Sequence, residues 1–132
     1  MLFLDLDHFK PVNDNFGHDV GDQVLLQVAS RLRDSVRAAD TVGRIGGDEF
    51  VVLMAQLSDS DSILALAEKL RKALRQPLVV VGHELSISCS IGVAVYPADG
   101  TDAIALTKGA DDAMYRAKDD GRDCVRLCNT TT

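Results

Sequence analysis

Hydrophobic positions along this chain change their period several times, and each change marks an element. Met1-Leu2-Phe3-Leu4 is a continuous apolar run that passes into alternation at Asp5-Leu6-Asp7, which predicts a buried strand ending in acid. His8 to Gly17 is polar and holds Pro11 and Asn13-Asp14-Asn15, which predicts a helical turn followed by a loop. From Gly21-Asp22 to about Arg37, the residues Val24, Leu25, Val28, Leu32 and Val36 recur at helical spacing and form one stripe. Ala38-Ala39-Asp40 ends that helix. Two apolar runs follow, Asp40 to Ile45 and Phe50 to Leu57, and the Gly46-Gly47 pair between them predicts a hairpin.

Ser58-Asp59-Ser60-Asp61 offers a helix N-cap with an acid three residues on. The helix it opens buries Ile63, Leu66, Ala67, Leu70 and Leu74 and stops before Pro77. Leu78 to Val81, a Gly82-His83 turn and a strand from Glu84 predict a second hairpin. In its second arm Leu85, Ile87, Cys89, Ile91, Val93 and Val95 alternate with small or polar residues, the cleanest strand pattern in the chain. A third helix from Asp102 to Asp120 carries Ala103, Leu106, Ala110, Ala113, Met114 and Ala117 on one side, with Gly109 as a possible break and Gly121 as its terminator. Asp123 to Asn129 predicts a last strand, and the threonine tail is expected to be disordered. The order strand, helix, hairpin, helix, hairpin, helix, strand implies an α+β fold with a mainly antiparallel central sheet flanked by helices.

Composition narrows the function classes. The 132 residues, 46% apolar and 26% charged, fit a single soluble domain spanning residues 1–132. A net charge of -6 leaves no basic surplus for nucleic acid or an anionic membrane, although a local group of cations is enough for a small anion. No apolar run approaches the roughly 18 residues a membrane span requires. Cys89, Cys124 and Cys128 lack the paired spacing of a zinc site, which fits a reducing, cytoplasmic setting. Cys124 and Cys128 are expected to face one side of the last strand as apolar residues. Opening directly on a core strand predicts that the chain is an excised or truncated part of a larger multidomain protein.

The chemistry is concentrated at turns and strand ends. Gly46 and Gly47 let a bulky group approach the backbone while Asp48 and Glu49 place charge beside it, a combination that suits a polyphosphate held through a divalent metal. A solvated turn has the same composition. If the first strand neighbours the hairpin, Asp5 and Asp48 converge, and paired carboxylates suit Mg²⁺ and nucleotidyl transfer; otherwise Asp5 and Asp7 only terminate a strand. Lys118 and Arg122 share a helical face and, with Lys10, supply three cations for a triphosphate, or they complement the helix dipole. Asn13 and Asp22 carry the acceptors that guanine demands, or they form a turn and a helix start. Arg37 and Asp40 form either a local ion pair or a fork for guanine and phosphate. His8, His18 and His83 have no metal-binding spacing and are expected at the surface.

Taken in order, Phe3-Leu4-Asp5-Leu6-Asp7-His8-Phe9-Lys10, Asn13-Asp14, Gly17-His18, Gly21-Asp22, Arg37-x-x-Asp40 and Gly46-Gly47-Asp48-Glu49-Phe50 closely resemble the GGDEF family of diguanylate cyclases. Ser90-Ile91-Gly92-Val93-Ala94, Pro97-x-Asp99-Gly100 and the run from Ala110-Asp111 to Gly121-Arg122 extend the resemblance over nearly the whole chain. It implies a fold like the palm-like catalytic core of nucleotidyl cyclases and the condensation of two GTP into cyclic di-GMP by a homodimer. It implies Asp5, the Leu6 carbonyl and Asp48 as ligands of Mg²⁺ or Mn²⁺, with Glu49 as the acid needed for catalysis in the Gly46-Gly47-Asp48-Glu49 turn. It implies guanine contacts by Asn13 and Asp22 and phosphate contacts by Phe9 through its N–H, Lys10, Lys118 and Arg122. Arg37 and Asp40 match the family's R-x-x-D product-inhibition site. The alternative it carries is a non-catalytic module that binds GTP or cyclic di-GMP, for example in tandem with an EAL phosphodiesterase domain. Two departures stand out: the family's preceding helix and Asp-x-Leu-Thr-x-Leu-x-Asn-Arg-like segment are missing, and Asp123 stands where the family usually has Asn. The first is expected to leave part of the sheet or a neighbouring helix uncovered.

Overall fold

A computed structural model of the chain describes residues 1–55 and 59–128, so Leu57, Ser58, Asn129 and the threonine tail of the predicted elements lie outside the described residues. β1 (Leu2–Asp7) leads into α1 (Phe9–Phe16) and α2 (His18–Ser35). β2 (Thr41–Gly46) and β3 (Glu49–Leu53) form the predicted hairpin, followed by α3 (Ser60–Arg75). β4 (Leu78–Val80) and β5 (His83–Leu85) form a short separate hairpin, and β6 (Ser88–Val93), α4 (Ala103–Asp119) and β7 (Val125–Leu127) complete the chain. The main sheet runs β2-β3-β1-β6-β7; β1 pairs antiparallel with β3 and β6, and β7 lies parallel to β6. The first strand in sequence is thus the central strand in space.

Alternation along β1 divides the fold into two layers. Leu2, Leu4 and Leu6 are buried with Phe50, Val52, Cys89 and Ile91 in the larger core, which also takes Val24, Val28 and Leu32 of α2 and Ile63, Ala67, Leu70 and Leu74 of α3. Phe3 belongs to the opposite face with Ala94, and there α4 contributes Ala110 and Met114. Gly92 sets the approach of that helix: a Cβ there would lie 2.0 Å from the Ala110 carbonyl and 2.3 Å from the Met114 nitrogen. Ile45 and Leu53 on the edge hairpin and Ile104 at the start of α4 are exposed.

Several local expectations give way to the structure. The connector after β1 is an eight-residue helix, because Pro11 sits in its first turn, where no intrahelical N–H bond is lost, and Phe9 and Val12 are buried. α2 begins at His18 and ends at Ser35 rather than running from Gly21 to Arg37. Asp59 caps α3, accepting from the Asp61 and Ser62 N–H groups, and Leu66 is only half-buried. The long second arm divides at Ser86-Ile87: β5 pairs only with β4, whereas β6 enters the main sheet. Alternation persists across that break because Ile87 remains buried although it belongs to no ladder. Gly109 does not interrupt α4; it makes room for Cys128, whose Sγ lies 2.6 Å from where a Cβ would stand. Cys124 and Cys128 are half-buried free thiols flanking β7.

Candidate active site

β1 carries its acids to the middle of the sheet edge because Asp5 and Asp7 share the side of the strand opposite Leu4 and Leu6. Asp5 is the cross-strand partner of Glu49, and the Leu6 N–H donates to the Asp48 carbonyl at 3.1 Å. The Gly47-Asp48 turn is therefore folded against the end of β1. Gly47 takes a φ of 53°, a left-handed conformation for which glycine has no steric penalty, and Arg44 Nε donates to its carbonyl at 2.9 Å. Burial, and then repulsion from Asp48 and Glu49, push the Asp5 carboxyl up to about 6 against the pull of Lys118. Asp48 and Glu49 thus lie close enough to repel the Asp5 carboxylate, a repulsion of the kind a bound cation offsets.

Asp7 is the anchor beneath them, a role that reading the sequence did not assign. Its fully buried carboxylate accepts from Ser88 Oγ at 2.6 Å, Ser90 Oγ at 2.7 Å, Lys118 Nζ at 2.9 Å and the Asp123 N–H at 3.0 Å. Burial opposes its ionisation, but the bonds from Lys118, Ser88 and Ser90 prevail and hold its carboxyl below the usual range. The sequence held only a partial signal, serines in the polar places of a strand otherwise made of core residues; the register of the fold is what sets Ser88 opposite Asp7. Lys118, in the last turn of α4, also reaches the Leu6 carbonyl at 3.3 Å and Asp5 Oδ1 at 3.6 Å. The structure thus joins Asp5, Leu6, Asp48, Glu49 and Lys118 in one place. Arg122 follows α4 as an exposed side chain, and Lys10 is exposed in the first turn of α1. The Phe9 N–H is at that helix's start, where backbone donors have no intrahelical acceptor.

Where α1 and α2 meet, the Asn13 side chain lies across Gly21; a Cβ at Gly21 would stand 1.7 Å from Asn13 Oδ1. Asp22, the next residue, lines a cavity of about 370 Å³ with Leu25, Leu26, Val42, Arg44 and Phe50. An apolar slot with one acid and two arginines, Arg33 and Arg44, at its polar points suits a planar heterocycle. Arg37 and Asp40 are joined by an ion pair at 3.3 Å, and Asp40 also accepts from the Ala55 N–H at 3.0 Å. Burial would raise the Asp40 carboxyl, but Arg37 and Ala55 hold it below its usual value. A second cavity, of about 330 Å³, includes Arg37 and Asp40 and shares Arg33 and Val42 with the first. His8 is exposed, His18 opens α2, and His83 packs against Phe16 with ring centroids 4.8 Å apart.

The donor set fits a magnesium-type ion. Among the described residues no three acid, histidine or cysteine side chains form a metal cage. Mg²⁺ characteristically needs less, one or two carboxylates supplemented by substrate phosphates, and Asp5, Asp48 and the Leu6 carbonyl are all hard oxygen donors.

Fold and site define the class first: a central, mainly antiparallel sheet whose middle strand ends in carboxylates against a Gly-Gly-Asp-Glu turn, the palm-like architecture of nucleotidyl cyclases. Residues 1–124 match the family described as diguanylate cyclase, GGDEF domain, and the chain belongs to the GGDEF family. It is 52% identical over 123 residues to the bifunctional diguanylate cyclase/cyclic di-GMP phosphodiesterase MucR of Pseudomonas aeruginosa, covering 93% of this chain and 18% of MucR. The crystal structure of the GGDEF domain of TpbB from Pseudomonas aeruginosa superposes with a TM-score of 0.94 at 40% identity, covering 98% of this chain and 81% of that one. The GGDEF domain of DgcB from Caulobacter crescentus, solved in complex with c-di-GMP, gives 0.88 at 28% identity over 98% of this chain and 77% of that one. Among the described residues no helix is long and apolar enough to cross a membrane.

Proposed function

We propose that this chain is a diguanylate cyclase domain that joins two GTP molecules into cyclic di-GMP. In each half-reaction a ribose 3′-hydroxyl attacks the α-phosphorus of the other GTP, a new P–O bond forms, and pyrophosphate leaves. The observation that carries the reading is the convergence of Asp5, Asp48 and Glu49 with Lys118 at the end of β1. Bound by Asp5, Asp48 and the Leu6 carbonyl, Mg²⁺ or Mn²⁺ would neutralise triphosphate charge and polarise the reacting oxygens. Glu49, beside Asp5 in the register, takes the proton of the attacking hydroxyl. Lys10, the Phe9 N–H, Lys118 and Arg122 hold the phosphates, and Lys118 is aimed by its bond to Asp7. Asp22 accepts from the ring N–H and exocyclic amine of guanine at the mouth of its apolar slot, and Asn13 complements the base from α1.

One domain offers one such slot, so turnover requires two copies face to face, and the domain works where GTP is found, in the cytoplasm. Arg37 and Asp40 bind the product and restrain the enzyme. A second reading, a regulatory module that binds nucleotide without turning it over, draws support from Lys118 lying on the Leu6 carbonyl, the oxygen the metal needs. The test is GTP turnover with Mg²⁺ by the chain fused to a constitutive dimeriser, with product separated by chromatography. Cyclic di-GMP that vanishes with Asp48→Ala supports the cyclase. GTP binding that weakens in Asp22→Ala without any product supports the module.

A further inference from the structure

We propose that Asp123, clamped by Arg71 and Arg75 of α3, is a positioning residue for the phosphate end of the site, setting Arg122 beside Lys118. This rests on the assignment of Lys118 and Arg122 as triphosphate contacts. α4 closes with the Gly121 N–H on the Lys118 carbonyl at 3.4 Å and the Arg122 N–H on the Ala117 carbonyl at 2.9 Å, the paired bonds of a Schellman ending. The two residues that follow the glycine are both left-handed, Arg122 at φ 66° and Asp123 at φ 48°. Neither is glycine, so the surrounding structure must hold them there.

Three contacts do so. The Asp123 N–H donates to Asp7 Oδ2 at 3.0 Å, Arg71 Nη1 reaches Asp123 Oδ1 at 2.8 Å, and Arg75 pairs with Asp123 Oδ2. Arg71 is fixed in turn by Glu68 at 2.8 Å. The same Asp7 carboxylate anchors Lys118. Asp123 therefore ties α3 through its side chain, and the Lys118 anchor through its backbone, to a single turn. Between those ties the Arg122 side chain is exposed, and its guanidinium makes no hydrogen bond or ion pair with the described residues. An exposed cation on a left-handed, clamped backbone is placed to meet a ligand rather than to stabilise the fold. An Asn at this position would offer the two arginines no negative charge.

A clamp that only joins α3 to the sheet edge would leave phosphate recognition untouched, and this separates the two roles. Binding of GTP and of GMP, each with Mg²⁺, is measured by calorimetry for the unaltered chain, Arg122→Ala, Asp123→Ala and the double variant. In Asp123→Ala and Arg122→Ala alike, the preference for GTP over GMP falls roughly tenfold while GMP affinity holds, the scale of one charge-assisted hydrogen bond. The double variant loses no more than Arg122→Ala alone. A folded Asp123→Ala that keeps the full GTP preference overturns the proposal. If Asp123→Ala does not fold, Asp123→Asn and Arg75→Gln decide the matter on the same ratio, since each retains part of the clamp. An unaltered chain without any preference for GTP over GMP removes the phosphate-site assignment itself, and the positioning role with it.

Discussion

Removing the Asp7 carboxylate, by Asp7→Ala, tests whether this buried anion organises the site. Four donors lose their acceptor: two serine hydroxyls, the Asp123 N–H and the Lys118 ammonium, all within 3.0 Å. Ser90 is fully buried, so its hydroxyl has little access to replacement water. Breaking a buried, hydrogen-bonded charge pair characteristically costs about 3–5 kcal/mol. Water entering the cavity of about 220 Å³ that Asp7, Ser86 and Ser88 line softens the loss, so the lower half of that range is expected. At about 3–5 °C per kcal/mol for a domain of this size, the melting temperature falls by roughly 10–20 °C. The sign of the pH dependence follows from the direction of the shift. Asp7 ionises below its ordinary value in the folded chain, so its stabilisation is present above the unfolded value and is lost as pH falls through the folded one. The gap between the unaltered chain and Asp7→Ala therefore narrows in acid. Urea unfolding followed by circular dichroism, at neutral pH and near pH 3.5 with chelator present, measures both quantities. A loss below about 1 kcal/mol at neutral pH, or a gap that does not narrow in acid, would refute the argument that this carboxylate is the electrostatic anchor.

Three further changes have defined outcomes. Asp5 titrates near 6 instead of 3.8, so the metal-free fold loses stability as pH rises between those values; Asp5→Asn gains about 1–2 kcal/mol at pH 7.5 once solvent screening is allowed for, and nothing below pH 4, in chelator-containing melts. Arg37→Ala retains turnover and loses inhibition by cyclic di-GMP in an initial-rate assay, and it is tolerated better than Asp40→Ala because Asp40 also satisfies the Ala55 N–H. Gly92→Ala drives a methyl into the backbone of α4, costing about 3 kcal/mol or more and lowering turnover by displacing Lys118; soluble protein with an unchanged melt would contradict the close approach.

The chain's order of elements was legible because each long helix and the first hairpin carry their own period. Val24, Val28 and Leu32, or Ile63, Ala67, Leu70 and Leu74, repeat at the spacing that buries one face of a helix. Gly46-Gly47-Asp48-Glu49 signals a turn with chemistry, and the ordered motifs around it identify the family. α1 was harder to see: eight residues, a proline and an Asn-Asp-Asn run look like a loop until Phe9 and Val12 find a core to enter. The apparent long strand after Gly82 could not reveal its break, since alternation records which side chains are buried and not which strand supplies the hydrogen bonds.

The sequence alone therefore determined the three long helices, the α+β class and the residue types available for chemistry, all consequences of local spacing and backbone preference. Only the tertiary structure decided that β1 is central, that β7 runs parallel to β6, and that Asp7 holds Lys118 and the Asp123 turn in place. Those facts depend on pairings between residues distant in the chain, such as Leu2 with Val52, Ile91 with Val125, and Asp7 with Ser88 and Lys118. A local pattern carries no term for such a pairing, because its energy arises only when burial removes water from both partners at once.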